Sequence, residues 1–233
     1  MKRTKLVRDM GRPNERAADK KSREEILHAA AELFMRFGYA ATTVDVVAGH
    51  LGSTKGRIYH HYRSKADLFF DVQVAAMTQL LAEIKPLASG KGNPVDRLSA
   101  MALKHITIVL TDLPTQKVSV QDAERHLMDS SETNKRLRSV VKMRDEYEQL
   151  FAGVIDQGIR AGYFVDMPPK LATKPFFGAL NWAAVWFSPR RHESAEDVQE
   201  IARALASFAI RGLMKDTHNA ATREPSLLGD NLG

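Results

Sequence analysis

The 233-residue chain predicts an all-α fold. Three observations carry that reading. Apolar residues recur at three- and four-residue steps in nearly every long segment, the period of a helix that buries one face. No segment shows the strict alternation of a half-buried strand. Gly, Pro and N-capping residues fall between the apolar runs, where helices start and stop.

The elements follow in order. Residues 1–21 have little apolar content and read as a disordered basic arm. Ser22, with Glu25 at capping-box spacing, opens a helix whose apolar stripe is Ile26, Ala29, Ala30, Leu33, Phe34 and Phe37. Gly38 is its stop. Thr42 and Thr43 are N-cap candidates for a short helix, "VDVVAGHLG", with Val44, Val47 and Leu51 inward. Gly52 and Ser53 make a tight turn, and Thr54 caps a second short helix, "KGRIYHH", with Ile58 inward. Ser64, with Asp67 three residues on, opens "LFFDVQVAAMTQLLAEI", ended by Pro86 and "ASGKGNP".

The remainder is helical by the same criteria. Pro94 to about Asp112 places Leu98, Met101, Ala102, His105, Ile106 and Val109 on one face, and Pro114 breaks it. Thr115–Met128 forms another helix. Ser131 to about Ala161 carries Val140, Met143, Tyr147, Leu150, Phe151, Val154 and Ile155 in register. "LATKPFFGALNWAAVWF" is apolar nearly all round, so it lies in a core or shares a face with another subunit. Pro175 is expected to kink it. Ala195–Lys215 is amphipathic, and 217–233 reads as a flexible tail. The domain reading is a small three-helix head at 22–66 and a larger helical body at 67–216.

Charge sorts the chain further. Residues 1–65 hold 14 Lys and Arg against 7 Asp and Glu, whereas the rest holds 20 against 21. All the excess positive charge behind the net +6 therefore sits at one end, which fits an acidic partner, most simply nucleic acid, and equally a solvated basic tail; charge alone does not separate the two. The chain has no cysteine, which excludes disulfides and thiolate chemistry. No apolar run reaches the roughly 18 residues of a membrane span, no secretory h-region is present, and a cytoplasmic location is expected.

Two short helices across a Gly-containing turn, behind a longer supporting helix, make a helix-turn-helix. The second helix of such a unit enters the major groove with its first residues toward the bases. Thr54, Lys55, Gly56 and Arg57 occupy that start. Its free N–H groups suit phosphate oxygens, Gly56 allows close backbone approach, and Arg57 has the fork that fits a guanine edge. Tyr59, His60 and His61 are phosphate-facing candidates. Lys65 sits at a helix start, a poor place for a cation, so a phosphate contact is expected there. His60 and His61, being consecutive and about 100° apart around a helix, are not expected to converge on one metal.

From Arg23 to about Phe70 the sequence "REEILHAAAELFMRFGYAATTVDVVAGHLGSTKGRIYHHYRSKADLF" resembles the tetracycline-repressor (TetR) family of bacterial transcriptional regulators. The resemblance implies that Thr43, Ser53, Thr54, Lys55, Gly56, Arg57, Tyr59, His60, His61 and Lys65 face DNA. Ser53 stands where many members have valine, Arg57 where a small residue is common, and Tyr62 replaces a phenylalanine. It also implies a homodimer held by the last two helices of each subunit, an effector pocket in the body, and repression of a near-palindromic operator relieved by ligand. "RDEYEQLFAGVIDQGIRAGYF" and "LATKPFFGALNWAAVWFSP" are similar to a branch that senses acyl-CoA thioesters and controls fatty-acid or steroid catabolism. Phe176, Phe177, Asn181, Trp182 and Trp186 are the ligand-binding candidates, with Arg190 and Arg191 as further options for a CoA phosphate. Asn181 needs a buried partner, from a ligand or from a second subunit.

Other readings are an efflux-pump regulator responding to lipophilic drugs, a protein-only helical adaptor, and a helical enzyme. The enzyme reading would draw on His105, Asp122, Glu124 and His126. It lacks a third ligand at metal spacing, a phosphate loop and a nucleophile elbow. No catalytic residue, no metal and no cofactor is expected.

Overall fold

The computed structural model describes residues 13–120, 131–190 and 194–215. Among these residues there are ten helices and no strand beyond an isolated Phe164–Met214 bridge. The all-α expectation holds. The helices are α1 (Pro13–Ala41), α2 (Val44–His50), α3 (Lys55–His61), α4 (Lys65–Ala88), α5 (Pro94–Thr111), α6 (Leu113–Val120), α7 (Ser131–Arg160), α8 (Pro169–Asn181), α9 (Ala183–Trp186) and α10 (Ala195–Arg211).

The structure revises several boundaries. Helix α1 begins at Pro13, not Ser22, so part of the expected disordered arm is helical. Ala, Lys, Arg and Glu are good helix formers and Pro suits a first helical position. That segment is polar all round, so apolar periodicity could not detect it. Positions 1–12, the far end of the expected 115–128 helix with Asp122, Glu124 and His126, Arg191 and the 217–233 tail lie outside the described residues. The helical path of α1 breaks at Gly38 (φ 76°), as expected of a residue free to take positive φ. Helix α4 continues through Pro86 to Ala88. Helix α8 likewise runs through Pro175, and the interruption falls at Trp182, between α8 and α9.

Capping explains the ends that matter for the head. Thr43 Oγ1 accepts from the Val46 amide at 3.2 Å, and Ser64 Oγ from the Asp67 amide at 3.1 Å. Thr54 occupies the N-cap position of α3 without a side-chain hydrogen bond. Between α2 and α3, Gly52 adopts φ 57°, which an L side chain rarely tolerates.

Two hydrophobic cores form. The first gathers Ile26, Phe34, Val47, Ile58 and Phe69 under α1–α3, but also Val118 of α6 and Val140 of α7. The expected boundary at residue 66/67 is therefore crossed by packing, because the start of α4 and parts of α6 and α7 belong to the head's core. Arg136 of α7 reinforces this, bonding Asp67 and Asp71 of α4 at 3.1 Å each, while Arg23 of α1 also bonds Asp71. The second core joins α4, α5, α7, α8 and α10 around Leu98, Met101, Ile106, Phe151 and Leu180.

Candidate nucleic-acid interface and internal pocket

Helices α2 and α3 stand on α1, with Ile58 fully buried beneath α3 and Val47 beneath α2. On the outer side Thr43, Thr54, Lys55, Gly56, Tyr59 and His60 are exposed together. Tyr59 is 53% exposed, high for a tyrosine. A Cβ added at Gly56 would meet nothing closer than 3.7 Å, so the backbone there is open to approach. Lys55 pairs with Asp45 at 2.6 Å across the two helices, and Ser53 is half-buried in the turn.

Three of the expected DNA-facing residues point elsewhere. The Arg57 guanidinium turns back to α1, where Nε donates to Ser22 Oγ at 3.0 Å and Nη2 pairs with Glu25. The His61 side chain is only 7% exposed, and its Nε2 lies 3.2 Å from the same Ser22 hydroxyl. Ser22 Oγ is thus a partner shared by Arg57 and His61 in mid-helix rather than an N-cap. Lys65 Nζ donates to the carbonyls of Tyr39 (2.9 Å) and Ala40 (3.3 Å) and sits 4.2 Å from the Tyr39 ring centroid. A cation at the start of α4 is explained by the carbonyl-rich end of α1, with no phosphate required. Burial pushes its ammonium below the usual lysine value. Tyr62 is buried, and its hydroxyl accepts from Arg23 Nε at 3.3 Å.

The consecutive histidines also differ from expectation. His60 Nε2 lies 3.5 Å and His61 Nδ1 3.7 Å from one oxygen of Asp19, a residue placed there by the extended α1. The side chains do converge.

The body encloses a cavity of about 250 Å³ between α4, α5, α6, α7, α8 and α9. Met77, Leu80, Val109, Phe177 and Ala184 give it apolar walls. Three of its polar groups form a chain. His105 is fully enclosed, with Nδ1 2.8 Å from the Tyr147 hydroxyl and Nε2 3.0 Å from Asn181 Oδ1. An amide oxygen only accepts, so Nε2 carries the proton and Nδ1 accepts from Tyr147. Burial lowers the His105 pKa to about 4, so the ring is neutral. Burial likewise pushes the Tyr147 hydroxyl well above its ordinary value. Arg144, Glu148 and Lys174 add charged groups to the lining, with Lys174 Nζ 2.7 Å from Glu148. Burial alone would raise the Glu148 carboxyl, but hydrogen bonds from Lys174 and Thr173 outweigh it and hold the pKa low.

Residues 26–72 match the tetR family of bacterial regulatory proteins, and residues 91–213, more than half the chain, match the tetracyclin repressor-like C-terminal domain. The chain belongs to the tetR family. The HTH-type transcriptional repressor KstR2 of Rhodococcus jostii is 29% identical over 195 residues, covering 82% of this chain and 90% of that protein. The crystal structure of the TetR regulator PfmR from Thermus thermophilus superposes with TM-score 0.68 at 29% identity, over 82% of this chain and 99% of PfmR. The fold is also shared with AibR in complex with isovaleryl coenzyme A and operator DNA (TM-score 0.66, 22% identity, 83% and 98% coverage).

Of the five ligand-binding candidates in this TetR-family chain, Phe177 and Asn181 line the pocket. Phe176 does not. It is buried in the core with its ring 5.9 Å from Phe151. Trp182 (62% exposed) and Trp186 (49%) lie on the outside, near exposed Val185, and α10 exposes Phe208. Arg190 is exposed. Asn181 finds its partner within its own chain, in His105. Tyr147, read only as a core position, and His105, read as a core-face position and weighed as an enzyme residue, are two of the pocket groups missed. The signal was a histidine on an otherwise apolar face of α5. Among the described residues no helix is long and apolar enough to cross a membrane.

Proposed function

We propose that this TetR-family chain is a repressor that binds a near-palindromic operator as a homodimer and releases it when an acyl-CoA thioester fills the body pocket. The observation that carries the effector reading is the His105–Tyr147–Asn181 chain at an apolar cavity. Once Asn181 Oδ1 has accepted from His105, the amide nitrogen remains as the donor for a ligand oxygen such as a thioester carbonyl. At about 250 Å³ the cavity is smaller than the pockets of drug-sized ligands, roughly 300–1,000 Å³. It suits an acyl group whose nucleotide portion stays outside, beside Lys174. KstR2 is a repressor by name, and the shared fold holds an acyl-CoA and operator DNA in AibR.

DNA contact is assigned to Thr43, Thr54, Lys55, Gly56, Tyr59 and His60, the exposed members of the expected set. Arg57 reaches a base only by leaving Glu25. The exposed Trp182, Val185, Trp186 and Phe208 supply the dimer face, as apolar surface of this kind commonly does. Two heads about 34–36 Å apart then meet successive major grooves, and effector binding favours a different spacing.

The test is fluorescence anisotropy with a palindrome from the protein's own promoter region, titrated with acyl-CoA thioesters of graded length and with the free acids. Thioesters should release the operator, and Asn181→Ala should weaken that response about tenfold while leaving operator affinity intact, one lost hydrogen bond being worth roughly 1.5 kcal/mol. Release by free acids but not thioesters would overturn the effector assignment. Operator binding that is flat in salt would overturn the DNA assignment.

A further inference from the structure

We propose that Asp19, His60 and His61 form a site for a divalent transition-metal ion, zinc or its like, which clamps the DNA-facing helix α3 to α1. Each residue offers one donor atom, and the three donors lie within 4.8 Å of one another. Asp19 Oδ1 is 3.5 Å from His60 Nε2 and 3.7 Å from His61 Nδ1. Around a tetrahedral zinc with bonds of 2.0–2.1 Å, neighbouring ligand atoms sit roughly 3.3 Å apart. The ligands need to close by only a few tenths of an ångström, apart from the two ring nitrogens, which must also draw together. Imidazole and carboxylate are the ligand set that suits such ions.

The arrangement around His61 is what a metal ligand requires. Its Nδ1 points to the shared carboxylate while its other nitrogen, Nε2, meets Ser22 Oγ at 3.2 Å. An outer hydrogen bond of this kind fixes the ring's orientation and puts the proton on the nitrogen that does not ligate. The side chain is 7% exposed, so the ring is held by packing as well. The nearby cations are spoken for by other carboxylates: Arg57 by Glu25 and Arg23 by Asp71. His60 and Asp19 are 74% and 59% exposed, so an ion has a route in and a fourth position open to water. This inference does not depend on the effector or on DNA binding.

The test is a zinc titration of the tag-free, full-length protein at pH 7 against a chromophoric chelator, with thermal unfolding as a second readout. One ion per chain should bind in the micromolar range and raise Tm. Asp19→Asn and His60→Ala, both at exposed positions, should each weaken binding at least tenfold and abolish the Tm increase, with unchanged circular dichroism. His50→Ala should do neither. Absence of saturable binding, or binding undiminished in the Asp19 and His60 variants, would overturn the site.

Discussion

Replacing His105 by Gln should flatten the acid limb of the protein's stability curve. The ring is fully enclosed and its pKa is lowered from 6.5 to about 4. The sign follows from proton counting. Between these values the unfolded chain binds a proton that the folded chain refuses, so stability is complete above pH 6.5 and is lost as pH falls toward 4. At 1.36 kcal/mol per pH unit the displacement is worth about 3 kcal/mol, of which most is gone by pH 4.5. For a chain of this size that corresponds to a fall in Tm of roughly 6–12 °C. Glutamine keeps a donor and an acceptor for Asn181 and Tyr147 but does not titrate. Urea unfolding of both proteins at pH 7.5, 6, 5 and 4.5, at one fixed protein concentration, isolates the term as the difference between the curves. Other groups titrate in this range, but they do so in both proteins and cancel. Parallel curves would refute the reasoning, since they would mean that His105 is protonated as easily in the folded protein as in the unfolded one.

Two further substitutions test a placement that the structure revises and a close contact that it shows. Lys65→Met should cost about 1–3 kcal/mol, through loss of the charged hydrogen bonds to the Tyr39 and Ala40 carbonyls. Well below Tm it should leave the salt dependence of operator binding unchanged; a slope lower by about one ion would restore Lys65 to the phosphate contacts. Gly158→Ala places a Cβ 2.1 Å from Cδ2 of the buried Phe164 ring, closer than any tolerated contact. A loss of about 1–3 kcal/mol is expected from chemical denaturation, and Phe164→Leu in the same chain should recover part of it.

The helix-turn-helix was legible because its signals are local. Thr43 and Ser64 cap as their positions demand, Gly52 takes the positive φ that the turn needs, and Ile58 and Val47 face inward at helical spacing. What a side chain on that surface bonds to is not local. Arg57 reaches Ser22 and Glu25, 35 and 32 residues away, and nothing in "TKGR" distinguishes a base-reading arginine from one that staples two helices. The first turns of α1 were hidden because a polar helix has no apolar stripe, and with them went Asp19 and the convergence of the two histidines. In the body, periodicity located α5, α7 and α8 but not the facing of aromatic residues in a segment apolar all round. Phe176 turned into the core, Phe177 into the pocket and Trp182 outward, within seven positions of one segment. The His105–Asn181 pair spans 76 residues and requires the fold before it can be seen.

One short helix lies between the pocket in the body and the core of the head. Helix α6 packs against α1, α4, α5 and α9. Gln116 and Ser119 line the cavity, yet Val118, between them, is fully buried in the head's core. On the function proposed above, a ligand displacing Gln116 or Ser119 would shift Val118, which lies between them in the same eight-residue helix, against α1. Gln73, wholly buried on α4, donates to the Val118 carbonyl at 3.4 Å, and among the described residues its Oε1 has no hydrogen-bond partner. On the function proposed above, an effector would act through α6 on α1 and so on the supports of α2 and α3, with Arg136 bonded to Asp67 and Asp71 at the base of α4.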